Sequence, residues 1–99
     1  MKAVENNVEG ALLDYTRAIE LRPNLAYPYL NRGKARRQTG DLAGAVADFS
    51  RALRLDRHFA AAYHNRGSTR LRMNDRDGAA ADLTQAIELD FSRALKLES

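Results

Sequence analysis

The 99-residue chain has no cysteine and no tryptophan, and only two prolines and two histidines. The missing cysteines exclude disulfides, thiolate metal sites and thiol nucleophiles together. No apolar stretch approaches the roughly 20 residues that a membrane-spanning helix needs. No apolar run follows Met1 and Lys2, so no secretory signal is visible, and a cytoplasmic location is expected if the chain is complete. There is no glycine-rich phosphate loop and no recognisable nucleophile motif. The net charge is only +3, too small by itself to imply nucleic acid. What remains is 44% hydrophobic and 29% charged, the composition of one ordered domain rather than of a disordered or membrane chain.

The chain repeats itself. Shifted by 34 residues, Asn31-Arg32-Gly33 returns as Asn65-Arg66-Gly67, Tyr29 as Tyr63, Arg36 as Arg70, Asp41 as Asp75, and Asp48 as Asp82. Between residues 26–59 and 60–93, 14 of 34 positions are identical, which is far beyond chance for a fixed phase. The second half of the unit occurs a third time upstream, where Gly10 to Leu21 aligns with Gly44 to Leu55 and with Gly78 to Leu89.

Within each unit the period is helical. Leu12, Tyr15, Ala18 and Ile19 fall at three- and four-residue spacings, as do Ala45, Phe49, Ala52 and Leu53, and Ala79, Leu83, Ala86 and Ile87. Pro23-Asn24 separates two helices and offers Asn24 as an N-cap. Thr39-Gly40-Asp41 reads as a glycine stop followed by an aspartate cap, and Asn74-Asp75 repeats that signal without the glycine. The pattern predicts helices at about 8–21, 25–39, 42–55, 59–73 and 76–97, with residues 1–6 the remnant of an earlier helix.

A 34-residue helix pair with these small residues resembles the tetratricopeptide repeat family over about 90 residues. Tyr29 and Gly33, then Tyr63 and Gly67, match the large residue and glycine of its first helix. Ala45, Ala52, Ala79 and Ala86 match the small residues where helices cross, with Phe49 and Leu83 between them. Arg57 and Phe91 depart from the pattern where a proline is expected between units; Pro23 conforms. The resemblance implies an all-α, right-handed helix-turn-helix repeat solenoid in one domain. It comprises a partial unit (1–25), two full units (26–59 and 60–90) and a helical extension or cap (91–99), about two and a half units in all.

The frame breaks at the C-terminus. Asp90 to Glu98 is a near copy of Asp48 to Asp56, but 42 residues later. Nothing between Leu83 and Leu97 stops a helix, so one long helix of about 20 residues is expected, against the alternative of a turn near Asp90 and a separate cap. Phe91, Leu95 and Leu97 are surplus apolar residues there. They are candidates for self-association with a neighbouring molecule or for capping their own repeat.

The first helix of each full unit carries no acid. It holds Arg32, Lys34, Arg36 and Arg37, and then His64, Arg66, Arg70 and Arg72. The resemblance places these helices along a concave groove, which would then be basic and suited to an acidic segment or a free C-terminal carboxylate. It also matches Asn31 and Asn65 to asparagines that hold a peptide main chain, and Lys34 to a carboxylate-binding cation. Tyr27, Leu30, Arg37, Gln38, His64, Ser68, Leu71 and Arg72 are expected to face the same groove. Arg32 and Arg66 are expected to pack or pair between helices instead, and Asp14, Asp48 and Asp82 to pair with nearby arginines.

Catalysis has little to stand on. Asp14, Asp48 and Asp82 recur once per unit and are therefore too far apart for acid–base work, and His58 lies where a helix cap belongs. Asp75 and Asp77 lack the loop pattern of a cation site. The expected function is a non-enzymatic protein-interaction module with no cofactor and no metal. It would bind another protein or peptide, with Tyr27, Asn31, Lys34, Arg37, His64, Asn65, Ser68 and Arg72 as peptide-binding candidates. The alternative is a self-assembling structural element. Nucleic acid is disfavoured, because the basic helices lack interleaved aromatics.

Overall fold

The computed structural model describes residues 7–98, so the expectation for residues 1–6 lies outside the described residues. Five helices follow in order: α1 (Val8–Leu21), α2 (Ala26–Gln38), α3 (Leu42–Leu55), α4 (Ala60–Arg72) and α5 (Arg76–Glu98). Neighbouring helices pack in succession, α1 on α2, α2 on α3, α3 on α4 and α4 on α5, in an elongated body of 49 × 32 × 25 Å. All the described helices begin and end within two residues of the expected positions.

The punctuation has identifiable chemistry. Gly40 adopts φ +92°, and Asn74 takes the equivalent left-handed turn at φ 66°, the one non-glycine residue with positive φ among those described. Asparagine tolerates this conformation, which is how the second stop works without glycine. The carboxylate after each turn caps the next helix: Asp41 Oδ1 accepts from Gly44 N at 2.9 Å, and Asp75 Oδ1 from Gly78 N at 3.0 Å. Asn24, expected to cap α2, does not. The N-cap is Leu25, in extended conformation with no side-chain bond, so α2 starts one residue later than an Asn24 cap would set it. The N-cap of α4 is Phe59, while the backbone N–H of His58 donates to Asp56 Oδ1 at 3.1 Å.

The core is built on close approach. Ala45, Ala52 and Phe49 are completely buried, and Leu30, Leu53 and Ala62 complete the cluster. Leu30 was expected to face the groove. It is 3% exposed and belongs to this core instead. Phe49 of α3 lies against Gly33 of α2, and a Cβ built at Gly33 would sit 2.6 Å from Phe49 Cε1. A ring held in a filled core cannot withdraw cheaply. Gly33→Ala is therefore expected to lose about 1–2 kcal/mol net, with overpacking exceeding the roughly 1 kcal/mol of helix propensity gained. Urea unfolding would check this, and an unchanged or raised midpoint would refute it.

The two ends differ from the middle. α1 has no buried residue. α5 is one helix of 23 residues, and no turn interrupts it at Asp90. Residues 91–97 are all exposed, so this segment does not fold back as a cap on its own repeat.

Candidate functional site

The arginines divide into two populations, a division that depends on tertiary packing. Asp48, fully buried on α3, gathers three of them. Arg32 grips it with both Nε and Nη2 at 2.9 Å, Arg36 Nη1 donates at 3.0 Å and Arg51 Nη1 at 2.7 Å. Asp82 does the same in the next unit with Arg66, at 2.8 Å from both Nε and Nη2, and with Arg70 Nη1 at 3.0 Å. The carboxylates push the pKa values of Arg32 and Arg66 upward, through the hydrogen bonds first and the charge attraction second. Four of these five cations are neutralised between helices, as expected for Arg32 and Arg66, and Arg51 is neutralised along its own helix, α3. Asp14, the third copy of the carboxylate, is exposed and has no ion pair among the described residues.

The second population has no carboxylate partner among the described residues. Arg37 projects from α2 onto α4. Its Nη1 donates to Asn65 O and to Thr69 Oγ1, both at 3.2 Å, and its Nη2 donates to Asn65 Oδ1 at 2.9 Å. Its guanidinium rests 5.8 Å from the centre of the Phe49 ring. All three acceptors are neutral. Desolvation pushes its pKa down, and the nearby charge of Arg72 pushes it further. Arg72 and Lys34 are exposed, and neither forms an ion pair among the described residues.

The other candidates fall on the same two helices. Tyr27, Asn31, Lys34 and Gln38 follow one another on a single stripe of α2 at three- and four-residue steps. His64, Ser68 and Leu71 do so on α4, with Arg72 four residues after Ser68. Asn31, Lys34 and Gln38 line a groove of about 310 Å³ against α1, whose wall includes Ala11 and Tyr15. Tyr27 is exposed, with its ring centroid 5.1 Å from that of Phe59. His64 is exposed and Ser68 half-buried.

The two asparagines differ despite their shared place in the repeat. Asn65 Nδ2 donates to Ala61 O at 2.8 Å while its Oδ1 receives Arg37, which leaves one N–H and one lone pair. Asn31 makes no side-chain hydrogen bond among the described residues and keeps its whole amide available. Sequence reasoning did not foresee that Thr69 takes part. It is completely buried on α4, bonded to Asn65 O at 2.8 Å as well as to Arg37. Its counterpart one unit earlier is Ala35, so the repeat gave no signal for it.

Comparison with known proteins agrees with this architecture. A family model described as TPR repeat matches residues 5–38 and 33–74, and one described as tetratricopeptide repeat matches residues 60–93. No curated protein sequence matches the chain. Among solved structures, the first TPR of Spaghetti (RPAP3) bound to HSP90 peptide SRMEEVD superposes with a TM-score of 0.83. It is 26% identical, with 86% of this chain and 68% of that one covered. The Arabidopsis OM64 TPR domain gives 0.85 at 30% identity, covering 89% and 73%. The TPR2B domain of yeast Sti1, in a complex with pHsp70, gives 0.84 at 26% identity, covering 87% and 69%.

Proposed function

This chain belongs to the tetratricopeptide repeat family, a family of protein-interaction modules, and from that premise we propose that its α2–α4 groove binds an acidic peptide segment, ending in or rich in carboxylates. One observation carries the reading. The cations on the groove side, Lys34, Arg37 and Arg72, have no carboxylate partner among the described residues, whereas Arg32, Arg36, Arg51, Arg66 and Arg70 are paired with Asp48 or Asp82. A half-buried guanidinium held only by neutral acceptors gains most from an incoming anion, because its desolvation cost has already been met. Asn31 offers a donor and an acceptor to a peptide main chain, and Tyr27 an exposed ring. Two of the similar structures are complexes, one with an HSP90 peptide and one with pHsp70, which supports a polypeptide ligand of this kind.

The heptapeptide SRMEEVD, with three carboxylic side chains and a terminal carboxylate, is a suitable probe for isothermal titration. Binding is expected to be saturable and to weaken with salt as surface charges are screened. Lys34→Glu and Arg72→Glu should each lower the affinity about tenfold, the effect of roughly 1.4 kcal/mol. Arg54→Glu, on the exposed side of α3, should leave it unchanged. Equal losses from all three variants would mean a diffuse field rather than a groove, and no saturable binding at low salt would overturn the reading.

A further inference from the structure

Adjacent units meet in the same way twice. Arg32 Nη1 of α2 donates to Thr16 Oγ1 of α1 at 3.3 Å, and Arg66 Nη1 of α4 donates to Ser50 Oγ of α3 at 3.1 Å. Each arginine also stands over a tyrosine three residues before it, 5.9 Å from the ring centre of Tyr29 and 5.7 Å from that of Tyr63. Beside Ser50, Leu53 is only 7% exposed and joins Ala62 of α4 in the core. A second helix thus receives the first helix of the next unit through a hydroxyl and, three residues on, an aliphatic side chain.

α5 carries the third copy of that receiving face. Thr84 and Ile87 stand 34 residues after Ser50 and Leu53. Thr84 is exposed and its hydroxyl makes no hydrogen bond among the described residues. Ile87 is 68% exposed where its counterpart Leu53 is 7%. Because α5 does not turn after Leu89, the face is also longer than in the earlier units. Phe91, one turn beyond Ile87 and about 40° around the helix, is 63% exposed. We infer that this face of α5 is a docking surface for a basic, acid-free helix of the type of α2 and α4, supplied by another polypeptide that carries a tetratricopeptide unit.

Continuity with the two existing joints argues for the type of helix, and charge argues for its source. Glu88 and Asp90 flank Phe91, at about 60° and 100° around the helix, and neither forms an ion pair among the described residues. The bases Arg93 and Lys96 point the other way, about 160° and 140° from Phe91, and line a separate cleft with His58. The face is therefore apolar with acidic edges. Residues 25–39 and 59–73, which hold α2 and α4, contain no acid at all. Pairing α5 with α5 of a second copy would instead bring Glu88 and Asp90 of both molecules to one seam, with Arg93 and Lys96 turned away from it. Arg32 and Arg66 of a second copy are already committed to its own α1 and α3.

The probe is a synthetic peptide of residues 25–40, stapled between positions 27 and 31 on its groove side so that it is helical before it binds. Titrated into the ¹⁵N-labelled full chain, it should shift the amide resonances of Thr84, Ile87 and Phe91. The double variant Ile87→Asp/Phe91→Asp alters only exposed side chains. It should keep the helical circular dichroism of the parent and lose peptide affinity at least tenfold, while SRMEEVD binding is unchanged. An Arg32→Ala version of the peptide should bind several-fold more weakly. Shifts confined to the α2–α4 groove or to the cleft at His58 would overturn the inference, as would undiminished binding to the double variant. So would a dimer in sedimentation of the chain alone that Phe91→Asp abolishes, since the face would then belong to a second copy.

Discussion

Asp48→Ala is expected to destabilise the chain by about 3–5 kcal/mol, the cost of removing one partner from a buried ion pair. Asp48 is completely buried and receives four hydrogen bonds from three arginines. Without it, Arg32, with a side chain only 12% exposed, stays desolvated beside two more guanidinium groups. Arg36 and Arg51, at 31% and 42%, reach water and soften the loss, so most of it falls on Arg32. A domain of this size has about 5–15 kcal/mol in total, and each kilocalorie moves its melting point by about 4–8 °C. The variant should therefore melt well over ten degrees lower, in a thermal scan or by urea titration. Asp82→Ala should cost less, because Gln85 stands where Arg51 does and Arg70 keeps Asp75 at 3.8 Å, so Arg66 alone loses its carboxylate. Asp14→Ala should stay within about 0.5 kcal/mol, as an exposed group without an ion pair. A ranking with Asp14 first, or a loss below 1 kcal/mol at Asp48, would mean that the cluster is not a stabilising centre.

Phe49→Ala is the second large effect, at about 3–5 kcal/mol. The ring is completely buried, lies against Gly33 and supports the guanidinium of Arg37. Alanine would leave a cavity between two helices whose backbones are already close, where Gly33 has no side chain to fill it. Leu83, the counterpart of Phe49, is half-buried, so Leu83→Ala should cost less, about 2–3 kcal/mol. Phe49→Leu should cost under about 1.5 kcal/mol, since the second unit works with leucine against Gly67. Equilibrium unfolding of the three variants gives the order directly, and a larger loss at Leu83 than at Phe49 would contradict a core centred on α2 and α3. Because Arg37 rests on the ring, the alanine variant should also weaken SRMEEVD binding in whatever fraction stays folded.

Both effects tie the groove to the core through the repeat, and the repeat was visible in the residues themselves. The 34-residue period, the small residues at Gly33, Ala45 and Ala52, the aspartate caps at Asp41 and Asp75, and the unbroken apolar spacing from Leu83 to Leu95 are local patterns. The caps and the apolar spacing depend on the geometry of one helix or one turn, which three to five neighbouring residues settle. That is why the helix limits and the single long final helix agree with the structure. Asn24 is the exception. Asparagine is a good cap by propensity, yet Leu25 takes the position without any side-chain bond.

The sequence by itself determined the family, the five helices and the excess of positive charge on two of them. Tertiary structure decided which of those charges are available. Arg32, Arg36, Arg66 and Arg70 lie on the same helices as Lys34, Arg37 and Arg72, and composition treats them alike. Their fates diverge because a guanidinium is neutralised only if the neighbouring helix presents a carboxylate within hydrogen-bond reach, 12 or 16 residues away in the chain. The same holds for the asparagines. Asn65 is partly occupied because Arg37 stands one unit before Leu71, whereas the position one unit before Arg37 is Ala3, which has no such donor. It holds for Leu30 as well, which was expected in the groove and which packing with Phe49 and Ala62 places in the core. Helical pattern is a property of neighbours in sequence. Charge compensation and burial are properties of neighbours in space, fixed only when the second helix of each unit closes against the first.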